Sequence, residues 1–180
     1  MNSLIGLHDR AFSTIERADW LLPTLARLVF AGVLLAYFWA SGLTKLGPGL
    51  SGLFQPSVGA YAQIFPRAME AAGYDVSQFG LWHKLVVLAG TWSEFILPLM
   101  IVVGLLTRLA AIGMIGFVAV QTLTDLIGHG GLAHPETVGA WFDRIPDSPI
   151  MDQRALWLLL LMVLVIKGAG ALSLDRLLKR

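Results

Sequence analysis

The feature that most constrains this chain is Leu85–Thr107, LVVLAGTWSEFILPLMIVVGLLT, an apolar run long enough to cross a bilayer that carries one ionisable residue, Glu94. A carboxylate near the middle of such a segment costs about 2.5–3.5 kcal/mol on insertion scales. It lies roughly nine residues, or about 14 Å, from the nearer end of its helix, which is beyond easy snorkelling. Glu94 is therefore neutral, paired or facing a wet cavity. Arg27 and Lys45, on the apolar segment before it, are its candidate cationic partners. Pro98 follows four residues later, removes a backbone N–H and frees the Glu94 carbonyl, which predicts a kink beside the acid.

The remainder of the chain agrees with a membrane environment. Of its 180 residues 56% are hydrophobic and 14% charged, and its mean hydropathy is +0.71, values that place it with integral membrane proteins as a single membrane domain over residues 1–180. A formal net charge of +1 argues against nucleic acid as a partner. The absence of cysteine excludes disulfides, thiolate metal sites and a thiol relay. Any redox chemistry has to be borrowed from a partner. The first twenty residues lack the layout of a signal peptide, and Leu4, Leu7, Phe12, Ile15 and Trp20 fall along one side of a helix suited to the membrane surface.

Hydropathy predicts an all-α four-helix transmembrane bundle with spans at about 21–46, 81–105, 109–127 and 155–172. Short amphipathic helices are expected in the two extracytoplasmic loops, one near 58–72 interrupted by Pro66 and one starting at Pro135. Gly32, Ala36 and Ala40 form a small-residue stripe suited to helix packing. Four spans put both termini on one side. That side holds Arg10, Arg17, Arg27, Arg108, Lys167, Arg176, Lys179 and Arg180, whereas the loop side holds Lys45, Arg67, Lys84, Arg144 and Arg154. The positive-inside rule then makes the termini cytoplasmic.

Three polar groupings stand out from the apolar background. Ser41, Lys45, His83, Gln121, Asp125, His129 and also His134 fall at comparable depth near the outer surface and form the candidate site. There Asp125 would either hold Lys45 as an ion pair or orient His129 as a proton carrier, an arrangement suited to a quinone head group. Asp125 and His129, with His83 and His134 in reach, also offer oxygen and imidazole donors for a metal, at a spacing that matches no established signature. On the cytoplasmic side Asp175 is placed to accept hydrogen bonds from Arg27 or Arg108 in a structural clasp. Each grouping has a plainer reading as packing and interhelical hydrogen bonding.

Arg27 with the following FAGVLLAYFWASGLTKL, then SEFILPLMIVVGLLTRLAA with Glu94, Gly104, Thr107 and Arg108, then GAGALSLDRLL with Gly168, Gly170, Ser173 and Asp175, together resemble the DoxX family of small four-span membrane proteins. The resemblance implies a bundle in the bacterial inner membrane, linked to redox systems or to oxidative or metal stress alongside partner proteins. One related branch is the membrane subunit of a thiosulfate:quinone oxidoreductase. The long loops Gly47–Gly80 and Gly128–Gln153 and the lack of cysteine depart from a simple transfer of any one member's activity. The expectation is a membrane subunit of a redox or stress-response system that interacts with quinone; the alternative is a non-enzymatic scaffold for partner proteins. A site predicts a cavity reaching Glu94 from the outer face, and a scaffold predicts close packing there.

Overall fold

A backbone inside hydrocarbon has no water to satisfy its N–H and C=O groups, so long apolar runs become helices. The computed structural model describes residues 2–178, and every regular element among them is helical. A first helix, α1 (Asn2–Glu16), precedes four that are long and apolar enough to cross a membrane: α2 (Leu21–Lys45), α5 (Leu81–Val103), α6 (Thr107–Gly128) and α8 (Pro149–Lys167). The loop between α2 and α5 contains α3 (Val58–Ile64) and α4 (Pro66–Ala71), divided at Pro66. The loop between α6 and α8 contains α7 (Pro135–Val138), which starts on its proline. A short α9 (Leu174–Leu177) ends the described chain, capped by Ser173 Oγ accepting from the Arg176 N–H at 3.3 Å. The sequence predicts a short terminal helix capped by Ser173 and holding Asp175 to Arg180, and its last two residues lie outside the described ones.

The four long helices close a ring in which α2 touches α5 and α8, and α6 touches the same two. Phe30, Phe38, Ile101, Met114, Leu161 and Leu164 meet at its centre with no or almost no exposure. Outward-facing Leu28, Val33, Leu43, Leu123, Leu156 and Ile166 stay exposed, as a lipid-contacting surface requires. A second apolar cluster of Ala60, Tyr61, Met69 and Val87 fastens α3 and α4 onto the start of α5. Burial of its phenol pushes the Tyr61 pKa up. The bundle thus has a loop end, covered by these short helices, and a terminus end.

Several elements depart from expectation. The fourth span begins at Pro149 rather than near 155, because Pro149–Arg154 forms a wide π turn that runs into the helix. It stops at Lys167 rather than continuing to 172, since Gly168 takes a φ of 79° that a right-handed helix cannot continue through. A π turn at Ala31–Leu35 inserts an extra residue into α2, and Phe30, Leu34, Phe38, Gly42 and Lys45 share the buried face as a result. Gly32, Ala36 and Ala40 are exposed, so the small-residue stripe packs against no other helix among the described residues. Helix α5 runs on as one element past Pro98, and in the spans it is the π turns that interrupt α-helical bonding.

Candidate functional site

The wide turn in α2 and the four-residue spacing of Ser41 and Lys45 aim both side chains at α5. There the Lys45 ammonium donates to both Glu94 carboxylate oxygens at 3.0 Å and to Ser41 Oγ at 2.7 Å. Ser41 in turn donates to Glu94 Oε1 at 2.9 Å. Lys45 and Glu94 are 7% and 4% exposed, so each charge depends on the other in place of water. Lys45 therefore takes Glu94 as its partner, and the expected ion pair between Lys45 and Asp125 is replaced. Asp125 instead accepts from Arg154 across α6 and α8, and Arg154 also donates to Thr122 Oγ1 at 2.8 Å. Both acidic and basic members of this second pair sit in π turns, which rotate them toward each other.

Beside the Lys45–Glu94 pair lies a cavity of about 590 Å³. Ser41, Lys45, Glu94, Gln121, Asp125 and His129 all line it. His129 does not bond to Asp125. Its Nε2 donates to the Gln63 carbonyl at 3.1 Å, which holds the ring under α3 and leaves Nδ1 as the atom able to take a proton. Gln121 donates from Nε2 to the Tyr37 hydroxyl at 3.0 Å, while its buried Oε1 has no hydrogen-bond partner. A buried amide oxygen without a donor is costly, and in a cavity wall it is a group for a ligand or water to satisfy.

His83 and His134 are not brought to the cavity. His83 is held edge-on between Phe65 and Phe79, with ring centroids 5.1 and 4.9 Å away. His134 is exposed near Glu136, at 3.3 Å. The donors of the metal reading are thereby separated, and no group of three His, Asp or Glu side chains among the described residues could hold a metal ion. Arg154, Tyr37 and Gln63 were not anticipated in the site. Arg154 had one legible signal, a cation directly bordering the run ALWLLLLMVLVI at a depth similar to Asp125. Gln63 had none, because only the docking of α3 brings it in.

The clasp at the terminus end is built from backbone. Arg27, 8% exposed, donates from Nε to Ile101 O at 2.9 Å, from one terminal nitrogen to Ala169 O at 2.9 Å and to Leu172 O, and from the other to Val102 O. It thus ties carbonyls at the end of α5 to those that follow α8. Asp175 accepts from the N–H groups of Leu106 at 2.6 Å and Thr107 at 2.9 Å, capping the start of α6. Arg108 donates to Ile166 O at 3.1 Å. The two ends of one turn are thus held by opposite charges, which also attract each other.

A family model described as DoxX matches residues 22–129. The chain belongs to the DoxX family. The matched stretch of this DoxX-family chain includes α2, α5, α6 and every residue lining the cavity, while Arg154 and Asp175 lie beyond it. Comparison with curated proteins and with solved structures returned no match. Family, fold and the four long apolar helices together make it a multi-pass membrane protein in contact with lipid.

Proposed function

We propose that this DoxX-family protein is the membrane subunit of a redox or stress-response system, and that its cavity takes a quinone head group. The observation that carries this reading is the cavity itself: it reaches the buried Lys45–Glu94–Ser41 cluster and presents hydrogen-bonding groups along an otherwise apolar wall. A scaffold would be filled there. In this reading Ser41 or Lys45 turns a donor from Glu94 to one quinone oxygen, and the second Gln121 amide N–H and a protonated His129 donate toward the other. Gln121 Oε1 accepts from the hydroxyl once the quinol has formed. Reduction of a quinone to its quinol takes two electrons and two protons. The electrons are assigned to a partner redox protein, and the protons to a path through His129 and the Lys45–Glu94 pair. The charge bias supports an orientation with both termini in the cytoplasm of a bacterium and the cavity toward the outer leaflet of its inner membrane.

The test is titration of the purified protein in nanodiscs with ubiquinone and menaquinone analogues. Saturable binding is expected, weakened about tenfold by Glu94→Gln and by His129→Ala, a loss equal to one charge-assisted hydrogen bond. Binding that never saturates, or that neither variant changes, sinks the quinone reading and leaves the non-enzymatic scaffold in its place.

A further inference from the structure

We propose that the cavity is reached from within the bilayer, through a lateral opening between α5 and α6, and that its ligand is a lipid-dissolved molecule whose apolar tail lies across Gly116. This rests on the reading of the cavity as a binding site. The two helices are antiparallel neighbours joined by the turn at 104–106. Leu97 lies against Gly113, with Leu97 Cδ2 at 3.1 Å from where a Cβ on that glycine would stand. The contact sets the register. Counting one turn onward from it along each helix places Gly116 at the depth of Ser93 and Glu94, and a second turn places Val120 at the depth of Gly90.

The seam above Leu97 is lined by Ala89, Gly90 and Ser93 on one helix and Gly116 on the other. Such small residues ordinarily let membrane helices approach until they touch. Here they do not. A Cβ on Gly116 would meet nothing within 4 Å, and Ala89, Gly116 and Val120 line the cavity and are exposed, so the cavity is open along this seam.

The other approaches are narrowed by side chains, with His129 at the loop end and Tyr37 on α2 the further lining residues that stay exposed. Between α2 and α5 the Phe95 ring stands 2.7 Å from where a Cβ on Gly42 would lie. At the loop end Ile64 reaches to 3.2 Å from the Cβ position of Gly90, Pro66 to 2.8 Å from that of Gly128, and the Gln63 carbonyl receives His129. Helices α3 and α4 therefore cover much of the loop end, where His129 stays exposed, and the small-residue seam is the side left to lipid. A molecule already dissolved in the bilayer meets the Lys45–Glu94 pair by this route without passing α3 and α4. Gly116 becomes the residue that selects for a tail.

The experiment uses the full chain in nanodiscs and two probes, a decyl-substituted benzoquinone and its tail-less parent. Gly116→Leu is expected to weaken the decyl compound about tenfold and the parent by less than about twofold, since a few displaced methylene contacts account for a factor of that size. An equal effect on both probes, or no effect on either, overturns the lateral route while leaving the site reading intact. Failure of both probes to saturate the wild-type protein overturns the site reading. The route has its own readout even then: the chain has no cysteine, so a nitroxide on Gly116→Cys is unique, and it is expected to collide with dissolved oxygen in preference to a water-soluble nickel chelate. The reverse preference overturns the route.

Discussion

Glu94 and Lys45 form a pair in which neither charge has a substitute for the other. Losing one partner of a buried pair costs about 3–5 kcal/mol, whereas replacing both by apolar side chains of similar volume is often close to neutral. Lys45→Met is expected to destabilise the protein by about that amount, and Lys45→Met combined with Glu94→Leu to recover most of it. Reversible unfolding in mixed micelles measures both. A double variant as unstable as the single one would mean that the cluster holds the bundle through Ser41 and its backbone rather than through paired charge. The acid itself was conspicuous in the sequence. Its partner was not, because Arg27 and Lys45 flank the same apolar segment and both face α5; only the folded chain commits Arg27 to the Ile101 and Val102 carbonyls at one end and leaves Lys45 for Glu94.

Among the helices, the turn between α5 and α6 is tightly constrained. Gly104 has a φ of 72°, and a Cβ there would stand 2.5 Å from Ser173 Cβ and 2.8 Å from the Arg27 guanidinium carbon. Gly104→Ala therefore combines left-handed backbone strain with overpacking against the capping groups, and an expected loss of about 2–4 kcal/mol follows. The same unfolding measurement checks it, with Gly116→Ala as the control, since that site has open space and a right-handed helical backbone. A loss confined to a few tenths of a kcal/mol would show that α9 moves aside freely. The π turns tell a related story at the other end: they contain Asp125 and Arg154, and each rotates a charge that a regular helix would direct elsewhere.

At the scale of the whole molecule, the bundle is a ring of four helices closed by capped turns at the terminus end and by α3 and α4 at the loop end. Its direction in the membrane is open to a direct measurement. With no native cysteine, single variants Ser51→Cys and Arg176→Cys report one face each, and a membrane-impermeant maleimide on intact cells is expected to label the first and spare the second. The opposite pattern would reverse the orientation drawn from the charge bias. The sequence by itself determined the helical class, the long apolar helices, the place of the loops and the buried acid, because hydrocarbon forces the backbone to bond to itself and makes each charge conspicuous. Only the tertiary structure decided that Lys45 pairs with Glu94 and Arg154 with Asp125, that His83 and His134 stay away from the cavity, and that Gly116 borders an open seam. Those outcomes depend on rotations of about 100° per residue within a helix. One inserted residue in a turn changes them while leaving hydropathy untouched.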